Sequence, residues 1–439
     1  MDVGRAAVSV SNVKVWLWGR HIASLAADRH ERITFRYVDE FVGSRIQVSP
    51  LLMPLGSQVF SGFERRNEET FKGLPPLVID SLPDRFGEAL IRQWAARQGR
   101  RDQLTPLERL CYIGSRGMGA LEFTPATERP DVPDAALDVA QLVELASEAL
   151  RAKEGLSTGL DDREDFAQIL SVGTSAGGAR AKAVIAYNPE TGDVRSGQAA
   201  TLPDGFEHWL LKFDGVAENR DRGLADPLGF GRVEFAYAQM ARAAGIEMSE
   251  CRLLEEGPRA HFLTRRFDRV GANGKLHYAS LCAIAGYDFN LPQGTSYEQA
   301  LMTMRGLGLG FDEIVEQVRR CVFNIVARNQ DDHTKNIGYL MDQQGRWRLS
   351  PAFDVTFSYN PTGAWTAQHQ MTLAGQADGW ERNEIVEALA TSSGMSAREV
   401  SGVVDDVVAA VADWERFAAD AGVERDAASQ RHEHFRLFR

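Results

Sequence analysis

The 439-residue sequence predicts an α+β, bilobal chain in which a mixed N-terminal part leads into a mostly helical C-terminal lobe. Three observations carry this expectation. Residues 13–38 read as short strands, and further short apolar runs at 183–187, 209–213 and 261–267 read the same way. The last third carries two broad apolar stripes at helical spacing. One is Ile314, Val315, Val318, Cys321, Val322, Ile325 and Val326, and the other is Val400, Val403, Val404, Val407, Val408 and Val411. The length suggests two or three modules, at about 100–200 residues each. A bilobal enzyme with a cleft between lobes has this order of elements, as do many two-domain proteins.

Taken in order, residues 13–18 are apolar-rich, Gly19-Arg20 turns the chain, and 22–25 return. In 33–38, Ile33, Phe35 and Tyr37 alternate with Thr34 and Arg36, the period of a strand. Phe86, Leu90, Ile91 and Trp94 place a helix over 84–99. Residues 126–134 hold Pro130 and Pro133 among charges and read as a linker. After the strand at 183–187, residues 188–192 (Asn-Pro-Glu-Thr-Gly) form a turn by composition. A helix is expected over 233–244, and residues 337–341 and 347–349 flank a turn at 342–345 as a hairpin.

Composition narrows the function. Apolar residues are 44% and charged residues 25%, an ordinary globular balance that excludes disordered, collagen-like and coiled-coil chains. With 49 Lys+Arg against 61 Asp+Glu the net charge is −12, so nucleic acid or an anionic membrane is not held by bulk charge. Contact with DNA through a partner stays open. Cys111, Cys251, Cys282 and Cys321 are scattered, with no Cys-x-x-Cys pair to suggest disulfides or zinc. No leader pattern opens the sequence and no run of 18 apolar residues occurs, so a cytoplasmic protein without membrane attachment is expected.

The chemistry concentrates in Arg328-Asn329-Gln330-Asp331-Asp332-His333-Thr334-Lys335-Asn336, a polar loop after a long amphipathic helix, followed by the hairpin and by Asp354. Phosphoryl transfer in kinases needs this set. One carboxylate orients the attacking hydroxyl and accepts its proton, while an Asn five positions on and an Asp beyond hold Mg²⁺. Asp331, Asn336 and Asp354 stand in those places. A transition-metal site on Asp331, Asp332 and His333 is the rival reading, weakened because no second His sits at ligand spacing. A plain helix-capping loop is the bland one. Lys212, inside the apolar run 209–213, is the candidate phosphate lysine, and Glu234 on the next helix its partner. The small-residue stretch 171–182, with Ser175, Ala176, Gly177, Gly178, Ala179, Arg180 and Lys182, suits a backbone cradle for phosphates.

These segments resemble the HipA-family serine/threonine kinases, the toxins of bacterial HipA–HipB toxin–antitoxin pairs. Asp331 to Asn336 looks like the family's Asp-x-His-x-Lys-Asn catalytic loop, and Leu349-Ser350-Pro351-Ala352-Phe353-Asp354 is similar to its metal-binding segment. Residues 175–182 are similar to its phosphate loop. Arg265-Arg266-Phe267-Asp268-Arg269 resembles its hinge segment, with Arg265 where the family has Glu. Ser81-Leu82-Pro83-Asp84 and the Gly-rich 114–123 resemble N-terminal stretches of the family. The resemblance implies a protein-kinase-like, HipA-like fold, divided into an N-terminal subdomain over 1–135, an ATP-binding lobe over 136–268 and a helical lobe over 269–439. It implies ATP and Mg²⁺, with Asp331 catalytic and Asn336 and Asp354 on the metal. Nucleotide contacts are implied for Ser175, Ala176, Gly177, Gly178, Ala179, Lys182, Lys212, Glu234, Arg265, Phe267, His333 and Lys335. Ser175 matches a Ser that becomes self-phosphorylated and switches the enzyme off. A protein substrate is implied, such as an aminoacyl-tRNA synthetase. So is a HipB-like helix-turn-helix antitoxin, through which operator DNA is reached. Two alternatives remain beside this: a small-molecule phosphotransferase using the same residues, and a non-enzymatic co-repressor.

Overall fold

A computed structural model describes residues 10–83, 85–99, 104–127, 136–153, 163–172, 180–199, 201–217, 228–271 and 273–438. The N-terminal part is an antiparallel sheet of order β4-β3-β2-β1-β5, from β1 (Asn12–Leu17), β2 (Arg20–Ala27), β3 (Ile33–Tyr37), β4 (Val59–Phe60) and β5 (Leu121–Thr124). Alternation sets its buried face: Val13, Val15 and Leu17 point inward from β1, and Ile33, Phe35 and Tyr37 from β3. Trp18 and Gly19, both at positive φ, join β1 to β2, the backbone a two-residue hairpin demands.

The second sheet, β7-β6-β8-β10-β9, is also antiparallel. Its strands are β6 (Arg180–Tyr187), β7 (Val194–Ser196), β8 (Glu207–Ala217), β9 (Cys251–Glu256) and β10 (Arg259–Arg265). Trp209, Leu211 and Phe213 of β8 share a core with Leu90, Leu142 and Ile169 of the helices Arg85–Arg97, Val139–Lys153 and Arg163–Val172. The expected strand over 261–267 stops at Arg265. Arg266 turns its side chain onto Asp268, and Phe267 leaves the ladder for an aromatic cluster with Tyr278 and Phe353.

Most of the helical lobe follows two short strands, β11 (Arg269–Val270) and β12 (Gly274–Lys275), and one of its core helices, Phe230–Ala243, precedes them. Its core is built by the helices Phe230–Ala243, Tyr297–Gly306, Phe311–Val326, Arg382–Ser393, Ala397–Ala412 and Trp414–Asp420. Both stripes seen in the sequence are largely buried there: Val318, Val322, Ile325 and Val326 on one helix, Val400, Val404, Val407 and Val411 on the other. The lobe carries the sheet β13 (His277–Ser280), β15 (Gly338–Met341) and β16 (Trp347–Leu349), and the small parallel pair β14 (Thr295–Ser296) and β17 (Met371–Thr372). β15 and β16 form the expected hairpin, pairing Tyr339 with Leu349. No helix among the described residues is long and apolar enough to cross a membrane.

Candidate active site

Strand parity builds the first half of the site. Because Leu211 and Phe213 face the helix-covered core, Lys212 projects from the other face of the second sheet. Lys182 of β6 and Phe262 of β10 lie directly across from it. Both lysines are buried, at 5% and 7% exposure, and two adjacent ammonium groups in such a place need anions. Glu234, from the first turns of the helix Phe230–Ala243, binds Lys212. Asp354, from the helical lobe, binds Lys212 through Oδ1 and approaches Lys182 through Oδ2 at 3.5 Å. One carboxylate therefore ties the sheet to the helical lobe.

The electrostatics follow from this packing. Burial alone would raise the Asp354 carboxyl, but Lys182 and Lys212 overcome it and hold the group well below the usual carboxylate range. Burial likewise works against the Lys212 ammonium, and Asp354 and Glu234 more than restore it. Asp354 takes φ +52°, a left-handed position that Asp tolerates better than most residues.

The second half is the polar loop. The helix Phe311–Val326 ends at Ala327, whose carbonyl accepts from Tyr237 Oη at 2.6 Å, and Arg328 at φ +57° turns the chain. Asp332 then goes inward. It accepts from Tyr297 Oη at 2.6 Å, and at 2.8 Å it meets both His369 Nδ1 and the Gln370 backbone N–H. Burial would raise this carboxyl, and the His369, Tyr297 and Gln370 contacts bring it below its ordinary value. Asp331 stays open, with 38% of its side chain exposed. Its Oδ1 accepts from Trp365 Nε1 at 2.6 Å and lies 3.7 Å from His333 Nε2. Asn336 closes the turn by donating its Nδ2 to the Asp331 carbonyl at 2.8 Å, which leaves its Oδ1 for a ligand.

Of the other residues singled out by sequence, Phe267 packs 5.5 Å from the ring of Phe353, next to Asp354. Lys335 lies with Nζ 4.7 Å from the Phe289 ring. Arg265 is not part of this cluster: its guanidinium contacts Glu207 at 2.9 Å and Glu250 at 3.7 Å. Ser175, Ala176, Gly177, Gly178 and Ala179 lie outside the described residues. Sequence reasoning missed Trp365 and the Tyr297–Asp332–His369 anchor. Nothing local marks them, because the three anchor groups come from separate segments and only folding shows which Asp of the pair is buried.

Asn336 and Asp354 carry hard oxygen donors; Asp354 Oδ1 and Oδ2 face Lys212 and Lys182, and these two cations keep its carboxyl ionised. Among the described residues no group of three or more His, Cys, Asp or Glu is placed to hold a metal. That set is too sparse for a self-contained zinc centre. It fits Mg²⁺, which takes one or two protein oxygens and fills its shell with water and phosphate.

Comparison with known proteins agrees with this layout. The pattern of the HipA N-terminal domain matches residues 13–124, and that of the HipA-like C-terminal domain matches residues 174–415. A Sinorhizobium fredii protein with the provisional name kinase Y4mE is 24% identical over 428 residues, 92% of each chain. Among solved structures, the chain is similar to Shewanella oneidensis HipA from a complex with HipB and operator DNA. The TM-score is 0.65 at 13% identity, covering 97% of this chain and 96% of that one, a likeness of fold. With both of its characteristic domains present, in order and over most of its length, the chain belongs to the HipA family.

Proposed function

We propose that the chain is an ATP- and Mg²⁺-dependent protein serine/threonine kinase with Asp331 as the base. The observation that carries this is the division of labour in the loop. Asp332 is buried and saturated with hydrogen bonds, while Asp331 beside it is open and tied through its carbonyl to Asn336. Asp331 would orient an acceptor hydroxyl and take its proton as the γ-phosphoryl group is transferred. Lys212, held by Glu234, and Lys182 present two cations for the nucleotide phosphates. Asn336 and Asp354 would hold Mg²⁺, which neutralises charge on the phosphate oxygens.

The resemblance of residues 175–182 to the family's phosphate loop supports self-phosphorylation at Ser175 as an off-switch. A phosphoryl group there adds about −1.5 to −2 charges, which compete for the donors a nucleotide needs. The Shewanella relative was solved with HipB and operator DNA, which supports a helix-turn-helix antitoxin as this chain's partner and a growth-arresting toxin as its role. A translation protein such as an aminoacyl-tRNA synthetase is the substrate class we favour. The test is incubation of the full chain with radiolabelled ATP, Mg²⁺ and a bacterial lysate, followed by identification of the labelled protein and residue. Label on a Ser or Thr of one lysate protein is expected. Label only on small molecules would favour the phosphotransferase alternative, and none at all the co-repressor.

A further inference from the structure

Three consecutive loop residues hold one distant segment. Gln330, with its amide oriented to satisfy both ends, donates to the Thr366 carbonyl at 2.8 Å. Asp331 Oδ1 accepts from Trp365 Nε1 at 2.6 Å. Asp332 meets His369 through Oδ2 and the Gln370 N–H through Oδ1, both at 2.8 Å. The segment is also braced internally, since Gln370 Nε2 donates to the Trp365 carbonyl. Trp365 is thus anchored from both sides with its indole N–H on the one carboxylate of the loop that stays open.

An indole N–H only donates and does not titrate, so it cannot compete for the proton a base must accept. Its hydrogen bond is charge-assisted and short, and it fixes a carboxylate that otherwise turns about its own bond. The contact falls on Oδ1, the oxygen nearest His333. Asp331 Oδ2 takes no hydrogen bond from the described residues. The rings of Phe289, His333 and Trp365 form a row that ends on this carboxylate, with centroids 5.5 Å and 6.5 Å apart in turn.

We propose that Trp365 is a positioning residue for the acceptor side of the reaction: its indole N–H holds Asp331 by Oδ1 and leaves Oδ2 for the acceptor hydroxyl. This role rests on the reading of Asp331 as the base, whereas the contact does not.

Two measurements on the full chain test it. In isotope-labelled protein, the indole N–H resonance lost in Trp365→Phe should shift when Asp331→Ala removes the acceptor. An unchanged resonance would remove the contact and overturn the proposal whatever the kinetics. In the radiolabel-transfer assay, Trp365→Phe should lower kcat about ten- to hundred-fold with the KM for ATP unchanged, measured at a temperature where the variant is still fully folded. Wild-type turnover in Trp365→Phe would overturn the role, as would a loss appearing only as raised KM or disappearing once the unfolded fraction is accounted for. Full activity of Asp331→Ala would instead reject the base, and the positioning role with it, while the resonance still reports the contact.

Discussion

Asp331 and Asp332 are adjacent and chemically identical but differently surrounded, the first open and the second buried. Asp331→Asn should cut phosphoryl transfer by about 10²–10⁴-fold, the usual worth of a positioned base, without moving the unfolding midpoint. Asp332→Asn should act on the fold. It weakens contacts to Tyr297 and His369 in a site with 3% exposure, so a urea titration should show a loss of about 1.5–3 kcal/mol. The five-residue interval to Asn336 is written in the sequence and singles out Asp331. Its reason, that Asp332 faces inward onto a Tyr and a His from other segments, is a tertiary fact that no local pattern carries.

At the scale of elements, periodicity was the readable signal. The strand alternation of residues 33–38 and the two valine-rich stripes were legible because one face of each is buried and the other is not. The helices Val139–Lys153 and Arg163–Val172 were not read from the sequence, although Leu142, Val143, Ala146 and Ala149 fall at helical spacing along the first of them and are buried. Strand β13 offers a pH test. His277 is fully buried against Trp347, and burial pushes its ring down to about 4 from 6.5. The unfolded chain binds a proton at this ring near 6.5 and the folded chain only near 4. Stability should therefore be full above that window and fall as pH drops through it, by at most about 3 kcal/mol. Asp332 and Asp354, held low, add their losses further down, below the ordinary carboxylate range. Urea midpoints measured at intervals from neutral pH into the acid range should trace this slope. The slope should flatten in His277→Phe.

For the molecule as a whole, one of the contacts that join the N-terminal part to the rest is a buried charge cluster. Asp268 accepts from Arg266 at 2.7 Å, from Arg269 at 2.6 Å and from the Gly119 backbone N–H at 2.7 Å. Burial opposes the charge on Asp268, and the two guanidinium groups hold its carboxyl well below the ordinary range. Asp268→Ala leaves two cations without their shared anion and should cost about 3–5 kcal/mol, read by chemical denaturation. Gly119→Ala should also destabilise, because at φ +75° its new Cβ would lie 2.7 Å from the Tyr278 nitrogen. The Arg266-Phe267-Asp268-Arg269 segment was recognisable in the sequence through its family resemblance, but its grip on Gly119, some 150 residues earlier, needed the fold. The most direct measurement of the central claim is the initial rate of label transfer from ATP to lysate protein by the wild type, Asp331→Asn and Asp332→Asn, each checked for native melting. A rate that collapses in Asp331→Asn at an unchanged melting temperature, with Asp332→Asn losing stability first, is the expected result. Near-normal transfer by Asp331→Asn, with transfer abolished in a stably folded Asp332→Asn, would contradict it.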